Sequence, residues 1–271
     1  MKYFSNYFRK FCLPFIIILT VLGALLLTKE LVTKNKFLTR DYQLLVSIPP
    51  EDIIHYQKNK PAAWQDFVAL KRAVETTAKE KEDKKNILNT LEYQLDQNIE
   101  FKKLNWQGID NEIRKTAFYY RKIIYKYPLY DHKKYAFPLQ ASCYFIDTYG
   151  ADREGGKRRH EGTDLFDKKG TRIFSVCSGY VERLGWNRLG GDRVGIRGLD
   201  GNYYYYAHLD EINKELQIGQ KIEKGDFIGT MGNTGAITTP DHLHFGIELP
   251  NGEWVNPYPF LKVWESHLNT D

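Results

Sequence analysis

The chain has 271 residues, 42% hydrophobic and 27% charged, which excludes a disordered polymer and leaves room for one or two domains with a real core. Lys and Arg total 39 against 34 Asp and Glu, a net charge of +5. So mild an excess reads as a solubilising surface and gives no reason to expect nucleic acid as a partner. Three cysteines do not make a disulfide framework; Cys143 and Cys177 could pair in an oxidising compartment but read better as small buried thiols.

From Phe11 to Thr28, eighteen residues run without a charge between Lys10 and Lys29. At about 1.5 Å per residue the stretch is about 27 Å long, enough to cross a hydrocarbon core with help from flanking side chains. Tyr3, Phe4, Tyr7 and Phe8 fall where interfacial aromatics sit, and Pro14 falls in the first turn, where its missing N–H does little harm. Cys12 has no lipobox-like context. No small-residue cleavage signature follows, so a retained anchor over residues 1–30 with a short cytoplasmic tail is favoured over a cleaved signal peptide and secretion. Long domains translocate largely regardless of flanking charge. The expectation is a single-pass cell-membrane protein with the bilayer as partner of residues 11–28 and the rest of the chain extracytoplasmic.

Residues 31–134 read as a helical stalk or membrane-proximal module. Between residue 30 and about residue 130 the only glycine is Gly108. Three apolar stripes at helical spacing predict helices: Trp64, Phe67, Val68, Leu70 and Val74; then Ile87, Leu88, Leu91, Leu95 and Ile99; then Ile113, Ala117, Tyr120 and Ile124, stopping before Pro128. The charged run Lys79 to Lys85 predicts a break or an exposed stretch. These stripes are packing faces, and nothing in the region assigns a partner.

From 135 to 271 the texture changes. Short strand-like runs alternate with Gly155-Gly156, Gly190-Gly191, Asp200-Gly201 and Asn251-Gly252, a pattern that predicts an all-β antiparallel domain. The fold class is therefore α+β overall, with an N-terminal transmembrane helix, a small helical region and a C-terminal β domain.

Four of the chain's seven histidines lie in three motifs of this last part: HEGTD at 160–164, YAHL at 206–209 and HLH at 242–244. On a strand, His242 and His244 project to one face and Leu243 to the other. In HEGTD, Gly162 and Thr163 favour a loop running into a strand over a helix. Histidines and a carboxylate are the donors that leave a catalytic zinc one open position, so these residues read as a zinc site with catalytic histidines beside it. Two neutral imidazoles and one carboxylate leave a net +1 centre, which acidifies a bound water and polarises a carbonyl. A further imidazole can take the proton or support the oxyanion.

The stretch from about Phe137 to Leu261 resembles the LytM/lysostaphin-type M23 zinc metallopeptidases. HEGTD is similar to the family's H-x-G-x-D element, YAHL to its Tyr-x-His element and TTPDHLHFGI to its H-L-H-F element. LQIGQKIEKGDFIGTMGNTG resembles its connecting hairpin. The resemblance implies one Zn2+ per chain bound by His160, Asp164 and His244, with His208 and His242 as catalytic residues. It also implies an endopeptidase acting on bacterial peptidoglycan, with no separate organic cofactor. GGKRRHEGTD, GWN, GGDRVGIR and WVNPYPFL are similar to the narrower LytH-like L-alanyl-D-glutamate endopeptidases associated with sporulation. There Lys157, Arg158 and Arg159 acquire a possible substrate role, pairing the free carboxylate of the D-Glu residue. The alternatives are a non-catalytic wall-binding or assembly scaffold of M23-like fold, and a lipoyl-type carrier suggested by GQKIEKGDFIGTMG, which leaves the histidines unexplained.

Overall fold

The computed structural model describes residues 13–235 and 240–268. A first helix, α1, runs Leu13–Val46. Tyr3, Phe4, Tyr7, Phe8 and Cys12 lie outside the described residues, as do the side chains of nearly all of the apolar run at 11–28. No helix among the described residues is long and apolar enough to cross a membrane.

Residues 43–271 form one compact unit, and residues 1–42 a separate one. The larger unit begins with four further helices: α2 (Pro50–Asn59), α3 (Trp64–Thr77), α4 (Lys81–Asp96) and α5 (Asn111–Lys126). Local chemistry sets their ends. Pro50 opens α2 with Glu51 and Asp52 in its first turn, where the fixed φ and the positive end of the helix dipole favour them. Asp110 caps α5 by accepting from the Glu112 N–H at 2.8 Å, and the helix stops ahead of Pro128.

The first and third predicted stripes are buried as expected: Phe67, Val68, Leu70, Val74, Ile113, Ala117, Tyr120 and Ile124 are at most 4% exposed. The middle stripe is shorter than predicted. Leu91 is buried, but α4 ends at Asp96 and Asn98 turns left-handed (φ 61°), so Ile99 falls beyond the helix and is exposed. The charged run is split: residues 78–80 are non-helical and exposed Lys81 starts α4.

The β domain contains β1 (Asp152–Arg153), β2 (Arg158–Arg159), β3 (Thr163–Phe166), β4 (Arg172–Phe174), β5 (Gly179–Asn187) and β6 (Gly191–Gly198). There follow β7 (Tyr203–Ile212), β8 (Lys221–Ile222), β9 (Phe227–Met231), β10 (His242–Glu248) and β11 (Trp254–Val255). All pairings are antiparallel, as the hairpin signals predicted. β1 and β2 form a separate ribbon, and the main sheet runs β11–β10–β7–β6–β5–β8. β3 lies on the other side of β10, and β9 joins β4 to the far end of β7. β10 is thus flanked by β3 at its start and β7 along its end, with His244 opposite both Asp164 and Ala207.

One element departs from the all-β expectation. WVNPYPFL continues into a helix, α6 (Tyr258–Glu265), which buries Phe260, Leu261, Val263 and Trp264. Trp264 packs edge-on to Phe245 of β10 and donates Nε1–H to the Leu129 carbonyl at 2.7 Å. On the same side, the Gln57 side chain of α2 donates to the Tyr130 carbonyl at 2.7 Å, and Tyr130 packs on Phe260. The predicted helical region and the β domain therefore share a hydrophobic seam.

Candidate metal and catalytic centre

β10 carries HLH as the alternation requires. Leu243, fully buried, points into the core beneath the sheet, while His242 and His244 face a cleft on the other side. Thr163 begins β3 directly after the HEG loop, and the β3–β10 register sets Asp164 across from His244. His160 stands just ahead of β3 and is 2% exposed.

Three atoms converge. His160 Nε2 lies 3.0 Å from Asp164 Oδ1 and 3.0 Å from His244 Nδ1, and His244 Nδ1 lies 3.0 Å from Asp164 Oδ1. A tetrahedral zinc with ligands at about 2.0–2.1 Å separates its donor atoms by about 3.3 Å. The triangle is therefore the right size, and two imidazoles with one carboxylate are the right chemistry. Among the described residues His160, Asp164 and His244 form a group able to hold a metal ion. Its surroundings orient the donors. His160 Nδ1 lies 3.0 Å from the Thr148 carbonyl, which takes the Nδ1 proton and leaves the Nε2 lone pair facing the other two atoms. Asp164 Oδ2 accepts from Arg153 Nη2 at 2.6 Å, which leaves Oδ1 to the histidines.

The electrostatics fit a cation-binding centre. Burial alone would raise the Asp164 carboxyl, but its close contacts with His160 and His244 outweigh burial and hold it far below the usual carboxylate range. Burial lowers His244, against the pull of Asp164, which favours the neutral ring a metal needs.

His208 and His242 stand beside this triangle, with ring centroids 4.8 Å apart. His242 Nε2 is 3.8 Å from Asp164 Oδ1, and its Nδ1 is 2.8 Å from the Pro240 carbonyl. His208 Nδ1 is 2.8 Å from the Thr234 carbonyl. Each ring therefore directs its Nδ1 proton to a backbone carbonyl, which leaves Nε2 as the nitrogen on the side of the cleft. Burial pushes His208 down to about 4, so it is a neutral proton acceptor near pH 7.

His208 reaches the cleft by an irregularity. Tyr203, Tyr205 and Ala207 face the cleft, and Tyr204 and Tyr206 are buried beneath the sheet, so strict alternation would bury His208 with them. The β6–β7 register pairs Asp192 with Leu209 and Val194 with Tyr206, so Ala207 and His208 together oppose Arg193. His208 takes φ 64° at this bulge, turning its ring to the cleft side before Leu209 returns to the core. Thr234 fixes the bulge: its Oγ1 donates to the Leu209 carbonyl at 2.7 Å and accepts from the Asp192 N–H at 2.9 Å.

The cleft encloses about 1070 Å3. Aromatic side chains line it where glycines leave room: Tyr203 and Tyr205 stack at 26°, and Trp254 stands edge-on to Tyr205. A Cβ on Gly195 would meet Tyr203, one on Gly190 would meet Tyr205 and one on Gly246 would meet the Trp254 ring, all at 2.6 Å or less. Of the predicted substrate residues, Arg158 lines the cleft and donates to Glu154 at 3.0 Å. Arg159 pairs with Asp152, and Lys157 is exposed. Sequence reasoning missed Arg153, Thr234 and the cleft tyrosines; the GNTG turn around Thr234 carries no local signal of its role, and Arg153 sits in a two-residue strand. Cys143 and Cys177 are both free, as expected, but only Cys177 is buried as expected while Cys143 is half-buried; desolvation raises each thiol.

Residues 158–257 match the family model described as Peptidase family M23. The chain is 41% identical over 160 residues to the L-Ala–D-Glu endopeptidase of Bacillus subtilis, covering 55% of this chain and 49% of that protein. It is 35% identical over 108 residues to the glycyl-glycine endopeptidase ALE-1 of Staphylococcus capitis, covering 38% of this chain and 29% of that one. The chain thus spans half or less of the length of these relatives. Among solved structures, a Ruminococcus gnavus protein described as a glycyl-glycine endopeptidase lytM superposes with a TM-score of 0.51 at 27% identity, over 79% of this chain and 86% of that one. The three motifs, the antiparallel sheet that gathers them and the matched segment mark residues 158–257 of this chain as a Peptidase family M23 domain.

Proposed function

We propose that the chain is a zinc endopeptidase that hydrolyses peptide bonds in bacterial peptidoglycan, with His160, Asp164 and His244 as metal ligands. The observation that carries this reading is the 3.0 Å triangle of His160 Nε2, Asp164 Oδ1 and His244 Nδ1. Zinc there would supply Lewis acidity, lowering the pKa of a coordinated water toward neutrality and polarising a carbonyl. His208 and His242 then handle protons. One Nε2 accepts the proton that the attacking water loses as its oxygen bonds to the carbonyl carbon, and an imidazolium returns a proton to the amide nitrogen as the C–N bond breaks. The second imidazole donates to the oxyanion from Nε2 when it carries a proton there as well as on Nδ1.

The relative at 41% identity is named for the L-Ala–D-Glu bond, which supports the stem peptide over a cross-bridge as substrate. In the same reading Arg158 lines the cleft, paired with Glu154, and Lys157 and Arg159 lie beside it as further contacts for the peptide. The uncharged run from Phe11 to Thr28 supports a single-pass anchor with the catalytic domain outside the cytoplasm. Protease accessibility of intact cells tests that placement, and cleavage only after lysis overturns it. A non-catalytic scaffold leaves the convergence of three metal-type donors without a use.

The test is mass spectrometry of purified muropeptides incubated with the full-length chain, with and without chelator. Chelator-sensitive products ending at L-Ala are expected. Products formed equally with chelator, or none after zinc addition, overturn the reading.

A further inference from the structure

The cleft is rich in guanidinium groups, and nearly all are accounted for. Arg153 is held by Asp164, Arg158 by Glu154 and Arg197 by Glu182 in a two-pronged pair at 2.6 and 2.9 Å. Arg183 and Arg188 are exposed, so water satisfies them. Arg193 fits neither description. Its Nε and Nη1 are buried from solvent and have no hydrogen-bond partner in the structure, although the side chain lines the cleft. A cation with desolvated, unpaired donors is costly to keep, and a protein that keeps one has a use for those donors.

The sheet register says what that use is. Arg193 opposes the Ala207–His208 bulge, and Ala207 in turn opposes His244, so Arg193, the bulge and the metal triangle lie in one row across three strands. At about 4.7–4.9 Å per strand, the Arg193 backbone is about 10 Å from that of His244. Farther along the same face of β7 stand Tyr205 and Tyr203, whose hydroxyls feel the Arg193 charge. A peptide whose scissile carbonyl stands over the triangle therefore has the neighbouring residue within reach of Arg193.

We propose that Arg193 binds the free carboxylate of the residue next to the scissile bond, making the site selective for an acidic residue there. This rests on the peptidase reading above and adds the recognition element. A D-Glu residue in a chain uses only one of its two carboxyls to continue it, so the other stays ionised and matches the planar fork of a guanidinium. Nη2, the one nitrogen not closed off from solvent, opens on the cleft, and Nε–H lies on the same edge of the guanidinium, so a small turn of the group lets that edge grip a carboxylate with two parallel hydrogen bonds. The role is positional: Arg193 orients the peptide and takes no proton.

The experiment compares two synthetic stem peptides, L-Ala-γ-D-Glu-L-Lys-D-Ala and the same peptide with the D-Glu α-carboxylate converted to the amide. Full-length wild type and the variants R193Q and R193K are assayed with zinc, and binding of both peptides to each metal-free protein is measured by calorimetry. Wild type should favour the acid by at least about tenfold in KM, with kcat similar for the two. R193Q should raise KM for the acid to that of the amide while leaving the amide's constants within about twofold. R193K, which keeps the charge and loses the fork, should fall between. An unchanged acid-to-amide ratio in R193Q, or equal binding of both peptides by wild type, overturns the proposal. If R193Q weakens acid and amide alike, Arg193 serves only the fold and the proposal also fails. A wild type that binds the acid preferentially but cleaves neither peptide sinks the hydrolase reading and leaves the carboxylate site standing.

Discussion

Arg153 Nη2 donates to Asp164 Oδ2 at 2.6 Å, while Oδ1 of the same carboxylate faces His160 and His244. The two oxygens thus have different duties. Arg153 pins the carboxylate rotamer and prevents it from offering both oxygens to one ion, although its charge makes Oδ1 a slightly poorer donor. Orientation should win, because partners of metal-binding carboxylates typically contribute 10- to 100-fold in affinity. Arg153→Met is expected to weaken zinc binding by about tenfold in a competition titration against a calibrated chelator. Equal or tighter binding would show that the charge effect dominates.

Metal and proton duties should separate by mutation. His244→Ala removes one of the three proposed ligands and is expected to abolish both stoichiometric zinc and peptide cleavage. His208→Ala leaves the triangle intact, so zinc by elemental analysis should stay at one per chain while kcat falls roughly 10^2- to 10^4-fold. Loss of zinc in the His208 variant would move that residue into the ligand set. A near-normal rate would remove its catalytic role.

Thr234 offers a test of the bulge. Its hydroxyl joins the Leu209 carbonyl to the Asp192 N–H, and its own carbonyl holds His208 Nδ1. Thr234→Val keeps the shape and the carbonyl but strands two backbone groups, at about 1–3 kcal/mol. With His208 less firmly held, kcat is expected to drop about tenfold while zinc content is unchanged. If only the melting temperature moves, the hydroxyl serves stability and the carbonyl alone suffices to orient the ring.

The seam between the helices and the sheet should be energetically large. Trp264 is 1% exposed, packs against Phe245 and Phe260 and donates to the Leu129 carbonyl. Trp264→Ala should destabilise residues 43–271 by about 3–5 kcal/mol. Trp264→Phe should cost about 1–3 kcal/mol, much of it from the stranded Leu129 carbonyl. Denaturant melts reporting one transition, shifted in both variants, are expected. Two separate transitions would mean that the helices and the sheet unfold independently.

Much of this centre was legible in the chain because periodicity and chemistry agreed. His242 and His244 share a face by strand alternation, and Leu243 is buried as that alternation demands. The helical stripes of α3 and α5 were readable for the same reason. His208 was recognisable by motif, but its direction was not, since alternation points it to the core and only the left-handed bulge returns it. Arg153 was hidden because a two-residue strand has no period to detect. Ile99 was misplaced because the turn at Asn98 ends α4 before the stripe does. Arg193 was the least legible: a guanidinium's lack of partners is a property of the folded neighbourhood and leaves no trace in residue spacing.

The cleft glycines carry one last implication. Gly190, Gly195 and Gly246 hold no proton, metal or substrate, yet the Tyr205 hydroxyl, the Tyr203 phenol and the Trp254 ring occupy the volume a methyl group would need. Alanine at any of them would push an aromatic side chain outward and make the cleft shallower, with every histidine still in place. Activity in this domain can thus be silenced from positions without functional groups, and a complete set of ligands does not by itself guarantee a working enzyme.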